Sequence, residues 1–120
     1  MVNLDTHILL HAVTGQLRPA EEAVLDATSW CISAIVLWEI EKLAILGRIS
    51  INLDASPMQP ILDRTTLLPI SRAVCSQMRR LDFRSDPADE LIAATTLAHG
   101  VPLVTRDRRL RSSNLIPLAT

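Results

Sequence analysis

The chain has 120 residues, 48% of them hydrophobic, which suits one domain with a core of its own. Its net charge of −1 marks no nucleic-acid or membrane partner in bulk, and no apolar run nears the roughly 18–20 residues that a membrane span needs. With three glycines, one Phe, two Trp and no Tyr, it lacks a GxGxxG turn, a P-loop, a GxSxG elbow and the stacking aromatics of an RRM or OB surface.

In chain order, "MVNLD" reads as a short strand ending at Asp5. It has no basic segment before its apolar residues and carries an Asp among them, so it is not a secretory signal. "THILLHAVTG" is a helix stopped near Gly15, and Pro19 opens a second, "PAEEAVLDAT", with acids in its first turn. "WCISA" is the second strand. "SAIVLWEIEKLAILGRI" is a helix that is apolar on nearly every side and ends near Gly47. Residues 50–60, with Pro57 and Pro60, form a loop leading into a short helix. "TLLPI" is the third strand and "SRAVCSQMRRL" an amphipathic helix. In "DPADELIAATTLAHG", Asp86 is the N-cap, Pro87 the first helical residue and Gly100 the stop. "PLVT" is the fourth strand, "DRRLRSS" one helical turn and "LIPLA" a last short strand. Strands alternating with helices throughout argue for an α/β domain spanning residues 1–120, with a parallel sheet covered by helices on both faces. Cys31 and Cys75 form no CxxC pair and are expected as free thiols of a cytoplasmic protein.

Charge is unevenly spread. Residues 1–60 hold three bases and seven acids, a net −4, while residues 61–120 hold nine arginines and six acids, a net +3. Arginine favours forked contacts to phosphate or carboxylate.

The acids carry the chemical signal. At about 100° per residue, Glu39 lies on an arc with Ile35, Val36, Leu43 and Leu46, where an unpaired charge is costly to bury. Lys42, at i+3, offers only a weak surface pair. Asp5 ends the first strand, Asp107 lies just past the fourth, and Asp89 is in the first turn of the helix opened by Pro87. Each Asp can serve as a cap or in a capping box. In a parallel sheet, however, all strand C-termini share one edge, where ligands bind, so Asp5, Glu39, Asp89 and Asp107 are expected to converge there. Clustered carboxylates raise one another's pKa unless a cation offsets them. Oxygen ligands without His or Cys suit Mg²⁺, or Mn²⁺, completed by waters. Such an ion activates water and stabilises phosphoryl charge.

The blocks "LDTHILL", "ISAIVLWEIEKLAILGRI" and "DPADELIAATTLAHGVPLVTRD" together resemble a PIN domain, specifically the VapC-like toxins of toxin–antitoxin pairs, over nearly the whole chain. The resemblance implies a three-layer fold with five parallel strands in the order 3-2-1-4-5. It also implies Mg²⁺-dependent endoribonuclease activity leaving a 5′-phosphate and a 3′-hydroxyl, and a cognate antitoxin encoded nearby. The family's acidic positions fall on Asp5, Glu39, Asp89 and Asp107, and its hydroxyl positions on Thr6 and Thr105. Many relatives carry an aromatic followed by Asp-Arg where this chain has Ala88-Asp89-Glu90, so a positive charge is missing there. Arg84, Arg106, Arg108, Arg109 and Arg111 flank the acids in sequence and are the expected phosphate contacts. An amphipathic antitoxin helix is expected on apolar side chains beyond the needs of one small core, namely Ile8, Leu9 and Leu10 of the first helix and Leu37, Trp38 and Ile45. A homodimer is expected as the commonest symmetric assembly.

Other readings are weaker. His7 and His11 stand four apart, a spacing that can bind zinc, but no third ligand is placed, and a partly exposed helix face is expected. Trp30 and Trp38 are expected in the core. A phospho-receiver domain needs an Asp ending strand three and a Lys near strand five, and here strand three ends "LLPIS" and the only Lys is Lys42. A catalytically weak PIN-fold module that binds RNA or protein is the alternative, separated from the nuclease by metal-dependent cleavage of mixed RNA.

Overall fold

The computed structural model describes residues 1–120. Its strands are short because caps and prolines end them. β1 (Val2–Leu4) stops at Asp5, which caps the next helix; β2 (Trp30–Ser33) ends in the cap Ser33; β3 (Thr66–Leu68) stops before Pro69; and β4 (Leu103–Val104) follows Pro102. They form one parallel sheet in the order β3-β2-β1-β4. All three residues of β1 are buried, so both faces of this strand are covered, as a parallel sheet requires.

The helices are α1 (Thr6–Thr14), α2 (Pro19–Ala27), α3 (Ala34–Ile45), α4 (Met58–Asp63), α5 (Arg72–Gln77), α6 (Pro87–His99) and α7 (Arg108–Arg111). Caps foreseen from sequence are in place: the Asp86 side chain accepts from the Asp89 amide, and Gly15 and Gly100 close α1 and α6 at φ 71° and 63°. Sixteen buried side chains form one core cluster running from Val2 to Ile116.

Four expectations are corrected. The fifth strand, "LIPLA", shrinks to a single parallel bridge between Leu118 and Leu103, so the sheet has four strands. Pro117 has no N–H to extend that ladder, and β4 is itself two residues long. The helix expected over "SRAVCSQMRRL" gives way to a 3-10 turn at Met78–Arg80. Trp38 is not in the core but 60% exposed, whereas Trp30 is half-buried and donates its indole N–H to the Leu25 carbonyl. Ile8 and Leu9 are core side chains and do not line a surface groove. Apolar residues surround α3 almost completely, so composition did not single out its inward face.

Candidate active site

The parallel arrangement puts the C-terminal ends of the strands on one edge, and the candidate residues stand along it. Asp5 follows β1 directly, and its amide bonds to the Val104 carbonyl at 3.1 Å, continuing the β1–β4 ladder. Its side chain is 3% exposed. One carboxylate oxygen accepts from the Thr6 amide at 2.8 Å, capping α1, and the other accepts from the Thr105 hydroxyl at 2.5 Å. Asp5 is therefore both a cap and a site residue.

Thr6 and Thr105 sit behind the carboxylates. The Thr6 hydroxyl donates to Glu39, which answers what that side chain faces on its apolar helix: α1 and Asp5, with no ion pair to Lys42. The Thr105 hydroxyl donates to Asp5 and accepts from the Asp107 amide at 3.0 Å. Asp107 in turn caps α7, one oxygen accepting from the Arg109 and Leu110 amides at 2.9 and 3.0 Å. Asp89 accepts from the Ser85 hydroxyl at 2.8 Å.

The electrostatics link these groups. Burial, opposed by the Thr105 and Thr6 hydrogen bonds, holds the Asp5 carboxyl above its ordinary pKa, and the Asp107 charge adds to the rise. Glu39 is raised first by burial, then by Asp5 and Asp86, against the Thr6 hydrogen bond. Asp89 is pushed up to about 6, chiefly by burial, with Asp86, Asp5 and Asp107 adding to it. No arginine or lysine pairs with any of the four: the one ion pair in the protein joins Arg106 to Glu21.

No three acidic, His or Cys side chains close directly around a single point. The donors nevertheless fit a hydrated hard cation. One oxygen each of Asp107, Glu39 and Asp89 has no hydrogen-bond donor in the protein. Magnesium usually keeps several waters and takes one or two carboxylates directly, so waters would span the gaps.

The arginines expected to meet phosphate are differently placed. Arg106 grips Glu21 with two nitrogens at 2.8 and 2.7 Å and also the Gln16 carbonyl at 3.1 Å. Arg111 donates to the Thr105 and Thr120 carbonyls, Arg109 to the Arg84 carbonyl, and Arg84 to the Phe83 carbonyl. Arg108 is exposed and makes no side-chain bond. Glu90 accepts from the Ser85 amide at 3.3 Å.

Sequence reasoning gave no site role to Asp86, Ser85, His7 or His11. Asp86 was legible only as a cap, yet its charge reaches both Glu39 and Asp89. His7 and His11 line a cleft of about 250 Å³ with Asp5, Arg106 and Asp107. Their i, i+4 spacing immediately after Asp5 was the available signal.

The sequence and the fold have clear counterparts among known proteins. The PIN domain model matches residues 2–113, and the chain belongs to that family. Ribonuclease VapC22 of Mycobacterium tuberculosis (strain ATCC 25618 / H37Rv) is 36% identical over 117 residues, covering 92% of this chain and 90% of that protein. VapBC2 from Rickettsia felis, bound to a DNA fragment from their promoter, superposes with a TM-score of 0.70 at 20% identity over 98% of this chain and 97% of that one. A toxin–antitoxin complex from Klebsiella pneumoniae gives 0.66 at 20% identity over 89% and 87%. FitAcB from Neisseria gonorrhoeae gives 0.60 at 24% identity over 89% and 88%. Within the PIN family the chain is VapC-like.

Proposed function

We propose that this chain, as one domain over residues 1–120, is a Mg²⁺-dependent endoribonuclease acting in the cytoplasm as the toxin of a toxin–antitoxin pair. The observation that carries the reading is the set of Asp5, Glu39, Asp89 and Asp107 on the carboxyl edge of the sheet. These are buried or half-buried carboxylates whose charges help raise the pKa of Asp5, Glu39 and Asp89, and no arginine or lysine is paired with any of the four. The likeness to ribonuclease VapC22 supports RNA as the substrate, and the folds shared with toxin–antitoxin complexes support an antitoxin partner.

A bound Mg²⁺ supplies positive charge against the phosphoryl oxygens and lowers the pKa of water, Mn²⁺ being a substitute of similar chemistry. Asp5, with Thr105 and the Thr6 amide fixing both of its oxygens, and Asp107, fixed by the first turn of α7, present rigid acceptors to the ion. Glu39 and Asp89, each with one free oxygen, would orient the surrounding waters, and one of the two would take the proton of the water that attacks. The water oxygen would bond to phosphorus in line with the P–O3′ bond that breaks, and the leaving oxygen would take a proton from solvent, giving a 5′-phosphate and a 3′-hydroxyl. The antitoxin restrains this activity, and the chain forms a homodimer through apolar surface that its own core does not use.

Cleavage of mixed-sequence RNA and thermal melting, each with Mg²⁺ and with excess EDTA, test the reading. Asp5→Asn and Asp107→Asn are expected to lose cleavage by orders of magnitude, and Mg²⁺ is expected to raise the melting temperature of the parent alone. Equal rates in parent and variants, or cleavage that persists in EDTA, would overturn it. Folded protein that binds RNA without cutting it favours the binding-module alternative.

A further inference from the structure

The carboxylate set raises a problem for its own substrate: what meets the negatively charged strand at the site? Asp86, Asp89 and Glu90 stand together at the start of α6. The nearby arginines are largely committed to Glu21 or to backbone carbonyls. Beside Asp5 and Asp107 lies the cleft that these two line with His7, His11 and Arg106, with no hydrophobic residue in its wall. His7 is exposed and His11 half-exposed, and neither side chain has a hydrogen-bond partner in the protein. One helical turn apart on α1, their Cβ atoms lie roughly 5–6 Å from each other on one face.

We propose that His7 and His11 are substrate-binding residues whose ring N–H groups hold the phosphates of a single-stranded RNA as it leaves the carboxylates. This rests on the nuclease reading of the same site and names where its strand runs. An imidazole keeps at least one N–H donor in either protonation state, so the contact needs no change of charge. Arg106, held by Glu21, has one terminal nitrogen left for the same path. The acids of α6 offer a phosphate no donor, whereas His7 and His11 on α1 offer ring N–H groups that no protein group uses.

Steady-state cleavage of a labelled single-stranded RNA by the full chain in Mg²⁺ tests this. His7→Ala and His11→Ala are each expected to raise KM about tenfold or more, the scale of a hydrogen bond to a charged group, with kcat within about twofold of the parent. The Gln variants, which keep an N–H donor, are expected to recover much of the loss. The rise in melting temperature caused by Mg²⁺ stays as in the parent, since the histidines are not placed among the ion's ligands. RNA binding by anisotropy in EDTA gives a second reading that needs no cleavage. Unchanged KM and unchanged binding in both Ala variants overturn the proposal while leaving the nuclease reading in place. Lowered melting temperatures with no Gln rescue make the histidines structural and overturn it too. Zinc-induced stabilisation lost in either variant, with KM unchanged, assigns the pair to a metal instead. A folded parent that neither binds nor cuts RNA overturns this proposal and the nuclease reading together.

Discussion

Thr105 joins three parts of the site through one hydroxyl, which donates to Asp5 and accepts from the Asp107 amide. Removing it frees one Asp5 oxygen and leaves the Asp107 amide without that partner. Groups that orient metal ligands typically cost 10–100-fold in affinity or activity when lost. Thr105→Val is expected to lower Mg²⁺-dependent cleavage by about that factor, and Thr105→Ser to keep most of it. Rates for both beside the parent check this, and a Val variant as fast as the parent removes the role. Asp89 makes a prediction of the opposite kind. Its folded pKa of about 6 stands above the ordinary 3.8, so between these values the folded state holds a proton that the unfolded chain has lost. Metal-free stability therefore falls as pH rises through that window and stays low above it. In EDTA, Asp89→Asn is expected to melt higher than the parent at pH 7.5, with the gap closing toward pH 4. Melts across pH decide it, and a gap of the same size at both ends contradicts it. Asp5, Asp89 and Asp107 stand out in the sequence because each falls at a strand end or in a first helical turn, and Glu39 because it interrupts an apolar helix. The ties of Arg84, Arg106, Arg109 and Arg111 were not, because their partners are carbonyls and a carboxylate brought near only by folding.

Two links between elements carry predictions of their own. Asn3 on β1 is fully buried and donates its amide to the Ile92 carbonyl at 3.3 Å and the Thr96 hydroxyl at 3.0 Å on α6, while its own oxygen has no partner. Thr96 lies seven residues beyond Asp89, on the same stripe of the helix, so Asn3 fixes α6 against the strand that leads to Asp5. A buried unpaired acceptor costs about 1–3 kcal/mol, comparable to what the two bonds contribute. Asn3→Val removes both, and the Thr96 hydroxyl can turn to its own helix. Asn3→Val is expected within about 1 kcal/mol of the parent, and Asn3→Ala, which also leaves a cavity, clearly below it. Denaturant unfolding separates them, and equal losses in the two contradict the balance. Glu21 ties α2 to the segment after β4 through Arg106. The Arg106 hydrogen bonds lower its pKa to about 2 from 4.5. A depressed carboxyl contributes stability above its unfolded value and loses it as pH falls from 4.5 toward 2. Glu21→Gln is expected to cost roughly 1–3 kcal/mol at neutral pH, shrinking across that acid window. A loss that does not change with pH would mean that packing, not charge, joins the two segments. Caps made most element boundaries legible. The last strand was misread because its hydrophobic pattern outweighed one proline, Pro117.

At the scale of the whole molecule, alternation of strands and helices was enough to give the parallel sheet and its site edge. It did not give the rotation of α3. A helix apolar on nearly all sides has no sequence face, and only tertiary contacts identify the inner one: Val36 and Ile40 are buried in the core and Glu39 accepts from Thr6. The outward face then carries Trp38 at 60% and Ile45 at 70% exposure. Exposed apolar groups that cluster mark association surfaces. Sedimentation of the chain alone is expected to show concentration-dependent self-association, weakened by Trp38→Ser. Identical behaviour of the two proteins places the contact elsewhere.

The bond between Thr105 and Asp5 spans a sequence separation of 100 residues. Chains fold largely from the N-terminus as they are made, and here Asp5 emerges well before its hydroxyl partner and Asp107. β4, which supplies core residues Leu103 and Val104, forms the flank of β1 that a shorter chain leaves bare. On the nuclease reading proposed above, the acidic edge stays unfinished while this later segment is missing, because Asp5 then has neither its Thr105 donor nor Asp107 beside it. A fragment that stops short of Thr105 is expected to be inert toward RNA, and a truncation after Val104 assayed beside the parent checks this.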